Sequence, residues 1–376
     1  MTRKQLNSAY KALPVVFLSI FEHNSNLLPW RETGARIELI PMAENGDFDY
    51  AYLETKLKAY RGENCLKIGA FSAGSNITGT LFDVDRLAYL CHTNNALVCF
   101  DYAAVSPYQE INMTGANNHR EFSFDITGKE DLCAKDAIFL SPHKLVGGPG
   151  SSGVLIATKT LLFDRIPDRI GGGPVFFVNE KDHDFVANIE ELEEAGTPGV
   201  IQDIRAGLVY QLREQVGIET IRSIEQSIKE QVNNRLSQIP NLYLLGNNSL
   251  PKVPIFTFIV KTRHGKILHP FFVTSLLNDL FGIQTRSGCS CASMYGQKIL
   301  GIDLALSRRY KEALYEGHEL LRMGYTRLNF NYFQSEEDIE YVLAAIEFVC
   351  KFGWMFLPSY KFDVDLGIWV HRTEQE

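Results

Sequence analysis

A lysine and an aspartate, each next to an apolar run, are the residues of this chain best placed to do chemistry. Lys144 closes the segment Ser-Pro-His-Lys after residues 136–140, and Asp101 follows residues 96–100. A lysine amine in poorly solvated surroundings loses basicity and can act as a nucleophile. Open α/β sheets bind ligands at the carboxyl ends of their strands, so we expect Lys144 and Asp101 to share a site. Taken alone, a His-Lys pair before a glycine-rich turn is more often a surface feature.

An aspartate and a lysine at strand ends are what pyridoxal phosphate requires. The lysine amine forms a Schiff base with the cofactor, and the carboxylate keeps the pyridine nitrogen protonated so that the ring withdraws electrons. His23 and Asn76 follow two other apolar runs. His23 could lie flat over the ring, and Asn76 could bind the ring hydroxyl or a substrate carboxylate. Each residue alone is weak evidence, because Asp and Asn at strand ends are often turn formers. Four of them on successive strand ends predict a cofactor site.

The elements that must position these residues alternate along the chain. Apolar runs predict strands at residues 15–19, 36–40, 66–71, 96–100, 136–140 and 154–157. Helical periodicity appears at residues 49–61 and 84–93. Strands alternating with helices predict an α/β fold with a doubly wound, mostly parallel sheet. The polar and aperiodic residues 109–130 are predicted to form an exposed loop.

The chain divides into three predicted parts. Residues 1–204 form the large, cofactor-binding domain, and residues 205–249 form a helical connection that is broken near Gly217. Residues 250–376 form a smaller α+β domain with strands at 253–260 and 325–330 and helices at 270–280 and 335–351. Ser335 and Asp338 at the start of the last helix resemble a capping box.

Composition excludes several classes of function. The 376 residues carry a net charge of −8, which argues against a nucleic-acid surface. No apolar stretch reaches the roughly 18 residues that a membrane helix needs, and no signal peptide is recognisable. Seven cysteines, an odd number lying mostly in apolar runs, indicate reduced thiols. We therefore expect a cytoplasmic protein without nucleic-acid or membrane partners.

These motifs resemble the class V aminotransferase family of fold-type I pyridoxal-phosphate enzymes, and within it the cysteine desulfurase and selenocysteine lyase branch. The resemblance covers nearly the whole chain and implies the fold-type I large domain. It implies that Lys144 is the Schiff-base lysine, that His23 stacks on the ring and that Asp101 pairs with the pyridine nitrogen. Asn76 lies in a segment similar to the family's Ser-Asn-x-x-Gly motif.

The same resemblance implies how the phosphate is bound. Ser141 and His143, in the segment that carries the lysine, would bind it within one chain. Thr197 lies in a Gly-Thr-Pro motif whose threonine reaches the phosphate in the partner subunit of a homodimer.

Further motifs resemble the parts of the family that handle substrate. Arg327, in Tyr-Thr-Arg-Leu-Asn-Phe, looks like the arginine that binds the carboxylate of an amino-acid substrate, and Arg286 is a second candidate. Cys291, in a segment similar to Arg-x-Gly-x-x-Cys, falls at the position of the sulfur-accepting cysteine. If cysteine is the substrate, the Cys291 thiolate attacks its sulfur and leaves a persulfide and alanine. A sulfur-acceptor protein is then a possible partner.

Two alternatives stay open at this point. Cys289 and Cys291 could be packing residues, with another aminotransferase or lyase reaction on the same site. The chain could also be a non-catalytic remnant that dimerises or binds a partner. A metal bound by the Cys-x-Cys pair is disfavoured because no second Cys or His cluster accompanies it.

The sequence departs from the family in two places. Ala104 stands where the family has a glutamine that donates to the ring oxygen. Family members also carry a long stretch before the His23 segment, with a glycine- and threonine-rich turn that binds the phosphate through backbone N–H groups. We expect that turn to be absent here, so that the sequence is a fragment or the protein binds the phosphate with fewer donors.

Overall fold

A six-stranded sheet forms the centre of the larger part of the molecule in the computed structural model, which describes residues 13–117, 121–162 and 165–375. Its strands are β1 (Val15–Ser19), β2 (Arg36–Ile40), β3 (Lys67–Ser72), β4 (Leu97–Asp101), β5 (Ala137–Leu140) and β6 (Val154–Ala157). They lie in the order β2-β1-β3-β4-β5-β6, parallel except for β6, which pairs antiparallel with β5. The predicted doubly wound, mostly parallel sheet is confirmed.

The central strands are mainly apolar because both faces of the sheet are covered. Every residue of β1 is buried. Gly69 in β3 leaves room for its neighbours, since a Cβ there would lie 2.5 Å from the Phe71 ring and 2.8 Å from Cys91 Sγ. Such close packing fixes the strands and therefore the loops at their ends.

Three helices begin at residues that satisfy their first N–H groups. They are α1 (Asn24–Glu32), α2 (Tyr50–Ala59) and α3 (Val84–His92). The Asp49 carboxylate accepts from Tyr52 N–H at 2.9 Å, and the Asp83 carboxylate accepts from Arg86 N–H at 3.0 Å. The predicted apolar face of α2 is buried.

A mainly helical region follows the large sheet. A two-stranded unit precedes it, formed by β7 (Val175–Val178) and β8 (His183–Phe185), and then come α4 (Ile189–Leu192), α5 (Val200–Val216) and α6 (Ile218–Ser237). Gly217 separates the two long helices with a φ of 86°, which favours glycine because it has no Cβ.

A second, antiparallel sheet builds the smaller part. Its strands are β9 (Leu242–Leu244), β10 (Ile255–Val260), β11 (Arg286–Gly288) and β12 (Tyr325–Asn329), in the order β11-β12-β10-β9. The helices of this part are α7 (Pro270–Phe281), α8 (Ser293–Ile299), α9 (Leu304–Tyr315) and α10 (Glu336–Phe352), followed by a hairpin of β13 (Tyr360–Asp363) and β14 (Ile368–His371). The capping box of Ser335 and Asp338 is present. A separate hydrophobic core, to which α6 contributes Ile228, Val232 and Leu236, lies under this sheet.

The predicted exposed loop is wrong in part. The described residues between 109 and 130 have no strand or α-helix, but Gln109, Ala116 and Asn117 are buried. The reason is a polar contact, because Asn117 N–H donates to the buried Asp85 carboxylate at 2.8 Å. Residues 118–120 of this predicted loop lie outside the described residues.

One segment among the described residues, Glu336–Ser359, is long and apolar enough to cross a membrane, with a mean hydropathy of 1.4. Ile339, Leu343 and Val349 of α10 are buried in the core of the smaller part. A core helix of a globular protein meets the same criterion, so the segment is weak evidence for a membrane span.

Candidate active site

Four parallel strands end at one edge of the large sheet and bring the predicted residues together. β1, β3, β4 and β5 lead into the segments of His23, Asn76, Asp101 and Lys144 respectively. These side chains line one cavity of about 830 Å³ with Ser141 and His143. The smaller part closes the cavity from the other side with Arg286, Ser290 and Arg327.

A second cavity of about 380 Å³ continues the first. The two share Asn76, Ala104, Lys144 and Arg327 in their walls. Ala104 therefore contributes only a methyl group at the junction, where a glutamine is expected in the family.

Lys144 lies in a single 3₁₀ turn that the glycine-rich connection makes possible. Its N–H donates to Ser141 O at 3.0 Å, and Leu145 N–H donates to Pro142 O at 3.0 Å. A Cβ on Gly148 would lie 2.0 Å from Pro142 O, so only glycine fits against this turn. The protein walls around Lys144 desolvate its amine and lower its pKa, while the charge of Asp101 acts in the opposite direction.

Asp101 is the last residue of β4 and pairs with Ser72 of β3 and Phe139 of β5. Its Oδ1 accepts from Ala103 N–H at 2.8 Å, which fixes the carboxylate. The second oxygen can accept a ring N–H, as a pyridinium requires. The carboxylate and the amine of Lys144 line one cavity, so the donor set fits pyridoxal phosphate.

His23 precedes the first residue of α1, and a backbone N–H of that helix fixes its ring. Its Nδ1 accepts from Ser25 N–H at 3.1 Å, so in the neutral ring the proton is on Nε2. Burial lowers the pKa of His23; Asp101 raises it and Lys144 lowers it further. A neutral ring of fixed orientation suits stacking on a cofactor ring.

Glu22 is a further residue of this site that the sequence analysis missed. Its carboxylate is fully buried and accepts from Ser19 Oγ at 2.5 Å, Asn26 Nδ2 at 2.7 Å and Ser72 Oγ at 2.8 Å. It thereby joins the end of β1, the first turn of α1 and the end of β3. Burial raises its pKa to about 7. The available signal was a charged residue at the end of the apolar segment 15–21, next to His23.

Two arginines form a positively charged side of the cavity. Arg286 of β11 and Arg327 of β12 are paired residues on adjacent strands. Arg327 Nη1 donates to Asn76 O at 2.7 Å. Burial lowers the pKa of Arg327, and the charge of Arg286 lowers it further. An anionic ligand would relieve this repulsion, which fits the carboxylate predicted for this position.

Asn76 has a contact that the sequence did not indicate. Its Nδ2 donates to Ser290 O at 2.7 Å, in the segment that carries Cys291. Asn76 Oδ1 is the atom that can face a cofactor or substrate donor.

The two neighbouring cysteines differ in surroundings. Cys291 is exposed, and its Sγ lies 3.2 Å from Arg286 Nη2. Cys289 is partly buried, its Sγ contacts Met323 O at 3.7 Å, and burial raises the pKa of its thiol. The remaining cysteines are buried and unpaired, namely Cys65, Cys91, Cys99, Cys133 and Cys350. Cys291 is therefore the thiol that a substrate or a partner protein can reach.

Two predicted site residues, Thr197 and Cys291, do not line the cavity in the single chain; Cys291 contacts the lining residue Arg286, whereas Thr197 does not. Thr197 is exposed in the segment before α5 and does not line either cavity. Within the described part of the chain, no group of three or more His, Cys, Asp or Glu side chains is arranged to hold a metal.

Similar proteins are known from sequence and from solved structures. A "Probable cysteine desulfurase" of Halalkalibacterium halodurans is 26% identical over 74% of this chain and 61% of its own length. The chain thus spans about three fifths of that relative. A ligand-free cysteine desulfurase of Thermococcus onnurineus superimposes with a TM-score of 0.70, at 23% identity over 92% of this chain and 74% of that chain. A structure named C-DES, with glycine covalently linked to its pyridoxal-phosphate cofactor, gives a TM-score of 0.63 at 16% identity over 91% and 77%.

The two structural matches show that the fold is the one of these enzymes. The sequence model described as "Aminotransferase class-V" matches residues 4–119 and 127–342, which is most of the chain. The chain therefore belongs to the class V aminotransferase family.

Proposed function

We propose that this protein is a pyridoxal-phosphate-dependent cysteine desulfurase, which moves the sulfur of L-cysteine to Cys291 and leaves alanine. The observation that carries the proposal is the position of Cys291. Its thiol lies 3.2 Å from the guanidinium of Arg286, and Arg286 lines the Lys144 cavity. The relatives named as cysteine desulfurases support the same reaction.

The cofactor, when bound, withdraws electrons from the substrate carbon at which bonds break. Lys144 would hold it covalently, Asp101 would pair with its ring nitrogen and His23 would cover the ring. Ser141, His143 and Asn76 would bind its polar substituents. Thr197 from a second copy of the chain would complete the phosphate site.

The side chains of this chain bind the substrate and move its proton. Arg327, with Arg286, binds the carboxylate of the amino acid. The amine of Lys144, whose pKa is below its ordinary value, takes the proton from the substrate α-carbon and later returns it. Cys291 Sγ then attacks the substrate sulfur: a sulfur–sulfur bond forms, the carbon–sulfur bond breaks, and the carbon is protonated to give alanine.

A partner protein would accept the sulfur from the exposed Cys291. In a reducing, cytoplasmic compartment the thiol stays available for each cycle. We also propose that two copies form a homodimer, because Thr197 does not line either cavity of its own chain and the family resemblance places this threonine at the partner's phosphate.

The test is the balance of products from L-cysteine. The protein with pyridoxal phosphate and dithiothreitol should release alanine and sulfide in equal amounts, and Cys291→Ala should release neither at more than about a hundredth of that rate. Lys144→Ala should also lose the visible absorbance band of a lysine-bound cofactor. A Cys291→Ala variant that still releases sulfide at the wild-type rate contradicts the proposal.

One observation favours a second function, an aminotransferase or lyase reaction on a larger amino acid with Cys291 idle. The 380 Å³ cavity beside Arg327 and Lys144 exceeds what a cysteine side chain fills. This second function is supported if the protein turns over an amino acid with a long side chain and Cys291→Ala does not change that rate. Absence of the cofactor band in every variant would indicate a non-catalytic remnant instead.

A further inference from the structure

We infer that Asn76 is a positioning residue for Cys291, because its side-chain amide holds a strained turn that keeps Cys291 at the cavity. The catalytic meaning of this inference rests on the proposed function. The structural part, the contact of Asn76 with the turn, can be tested without it.

The turn that carries Cys291 has an unfavourable backbone for its residues. Ser290 and Cys291 have φ values of 49° and 59°, and Ala292 N–H donates to Cys289 O at 3.2 Å. Two central residues with positive φ are typical of a type I′ turn, which asparagine, aspartate and glycine favour. Neither residue here is of those types. Such a turn persists only where its surroundings hold it.

The groups that hold the Cys291 turn are Asn76 and Asn24, which belong to the part of the chain that contains the large sheet. Asn76 Nδ2 donates to Ser290 O at 2.7 Å, and Asn24 N–H donates to Cys291 O at 2.7 Å. The carbonyls of both strained residues are therefore bound from across the cavity. The Asn24 contact is made by the backbone, so the Asn76 amide is the contact that a side-chain substitution can remove.

Asn76 itself is fixed by its own loop. Ser75 Oγ accepts from Ile77 N–H at 3.1 Å, and Ile77 O accepts from Thr257 Oγ1 of β10. Arg327 Nη1 donates to Asn76 O. Because its backbone is held on both sides, Asn76 cannot follow the turn if the turn relaxes. The same residue thus joins the proposed carboxylate-binding arginine to the turn of the proposed nucleophile.

The first experiment measures amide hydrogen exchange in the full chain. In Asn76→Ala, and in the isosteric Asn76→Asp, peptides containing Asn24 or Ala292 should exchange about tenfold faster than in the wild type. Adding Ser290→Gly to Asn76→Ala should restore slow exchange, since glycine adopts positive φ without steric cost. Asn331→Ala, which removes an amide from the neighbouring cavity, should leave both peptides unchanged. Unchanged exchange in both Asn76 variants, or no rescue by Ser290→Gly, would overturn the inference.

The second experiment separates positioning of the thiol from binding of ligand. With cofactor and L-cysteine, we compare sulfide release with exchange of the substrate α-hydrogen in D₂O, a step that does not need Cys291. Asn76→Ala should lower the rate of sulfide release about tenfold relative to the rate of α-hydrogen exchange. Adding Ser290→Gly to Asn76→Ala should restore the wild-type ratio of the two rates. An equal loss of both rates would show that Asn76 acts only on the cofactor or substrate. If the wild type releases no sulfide, the proposed function fails, while the exchange experiment still decides whether Asn76 holds the turn.

Discussion

At the scale of single residues, the charged side chains that line the cavity are mainly positive, although the molecule as a whole is negatively charged. The whole chain has a net charge of −8, but Lys144, Arg286 and Arg327 line a cavity in which Asp101 is the acidic lining residue. Low-dielectric walls concentrate such a field and raise the local concentration of anionic ligands. A phosphate and a carboxylate are ligands of the right sign. The neutral state of His23 keeps a further cation from the ring that it would cover.

A second residue, Glu225 of α6, is buried away from this cavity and affects stability. It is 5% exposed, and burial raises its pKa to about 9, whereas an unfolded glutamate titrates near 4.3. Between these values the folded protein binds more protons than the unfolded chain, so stability falls as pH rises. Glu225→Gln keeps the shape without the titration. We expect it to raise the free energy of unfolding at pH 8 on the order of 2 kcal/mol, with the gain vanishing toward pH 4.

Urea unfolding between pH 4.5 and 8.5 measures this difference. Glu312→Gln, an exposed position on α9, is the matched control and should change stability by less than about 0.5 kcal/mol at any pH. A Glu225→Gln variant that is less stable than the wild type at pH 8 would show that the carboxylate has a stabilising partner.

Three predicted site residues that the fold brings to one cavity share one property. Asp101, His23 and Lys144 each follow an apolar run, and the parallel sheet alone brings such positions together. The contact of Asn76 with Ser290 could not be predicted, because the two residues are far apart in the chain and meet only when the two parts of the fold pack. The role of Glu22 could not be predicted either, because its three hydrogen-bond donors lie on different elements that meet only in the folded protein.

At the scale of elements, one glycine of the connection between β5 and β6 packs directly against the Lys144 turn. A Cβ on Gly148 would lie 2.0 Å from Pro142 O and 2.9 Å from Leu145 O, both backbone atoms of the Lys144 turn. We expect Gly148→Ala to cost about 1–3 kcal/mol of stability and to weaken cofactor binding, because the backbone that holds Lys144 must shift. Gly153→Ala is the matched control, as its Cβ would meet only Leu140 O at 3.9 Å. Unfolding midpoints and cofactor titration measure both, and equal behaviour of the two variants would contradict this account.

At the scale of the whole molecule, one helix face carries an exposed apolar stripe. The stripe on α5 consists of Val200, Ile201, Ile204, Leu208 and Leu212, which are 39–66% exposed. Monomeric soluble proteins rarely expose contiguous apolar patches larger than a few hundred Å². Thr197 directly precedes this helix, so a second copy that covers the stripe would also bring Thr197 toward another chain's cavity. The proposed homodimer would therefore use the stripe as its interface and Thr197 as the partner's phosphate ligand.

We therefore predict that Ile204→Glu together with Leu208→Glu converts a dimer into a monomer, because two charges on the stripe would have to be buried. Light scattering after gel filtration measures the mass, and the monomer should bind pyridoxal phosphate about tenfold more weakly, since it loses the partner's phosphate ligand. Thr197→Ala should weaken cofactor binding to a similar extent while leaving the dimer intact, which separates the ligand from the interface. Leu304→Glu on α9, at a position 67% exposed, is the control and should change neither property. The proposed interface is refuted if the wild-type chain is itself a monomer and its affinity for the cofactor equals that of the variant with Ile204→Glu and Leu208→Glu.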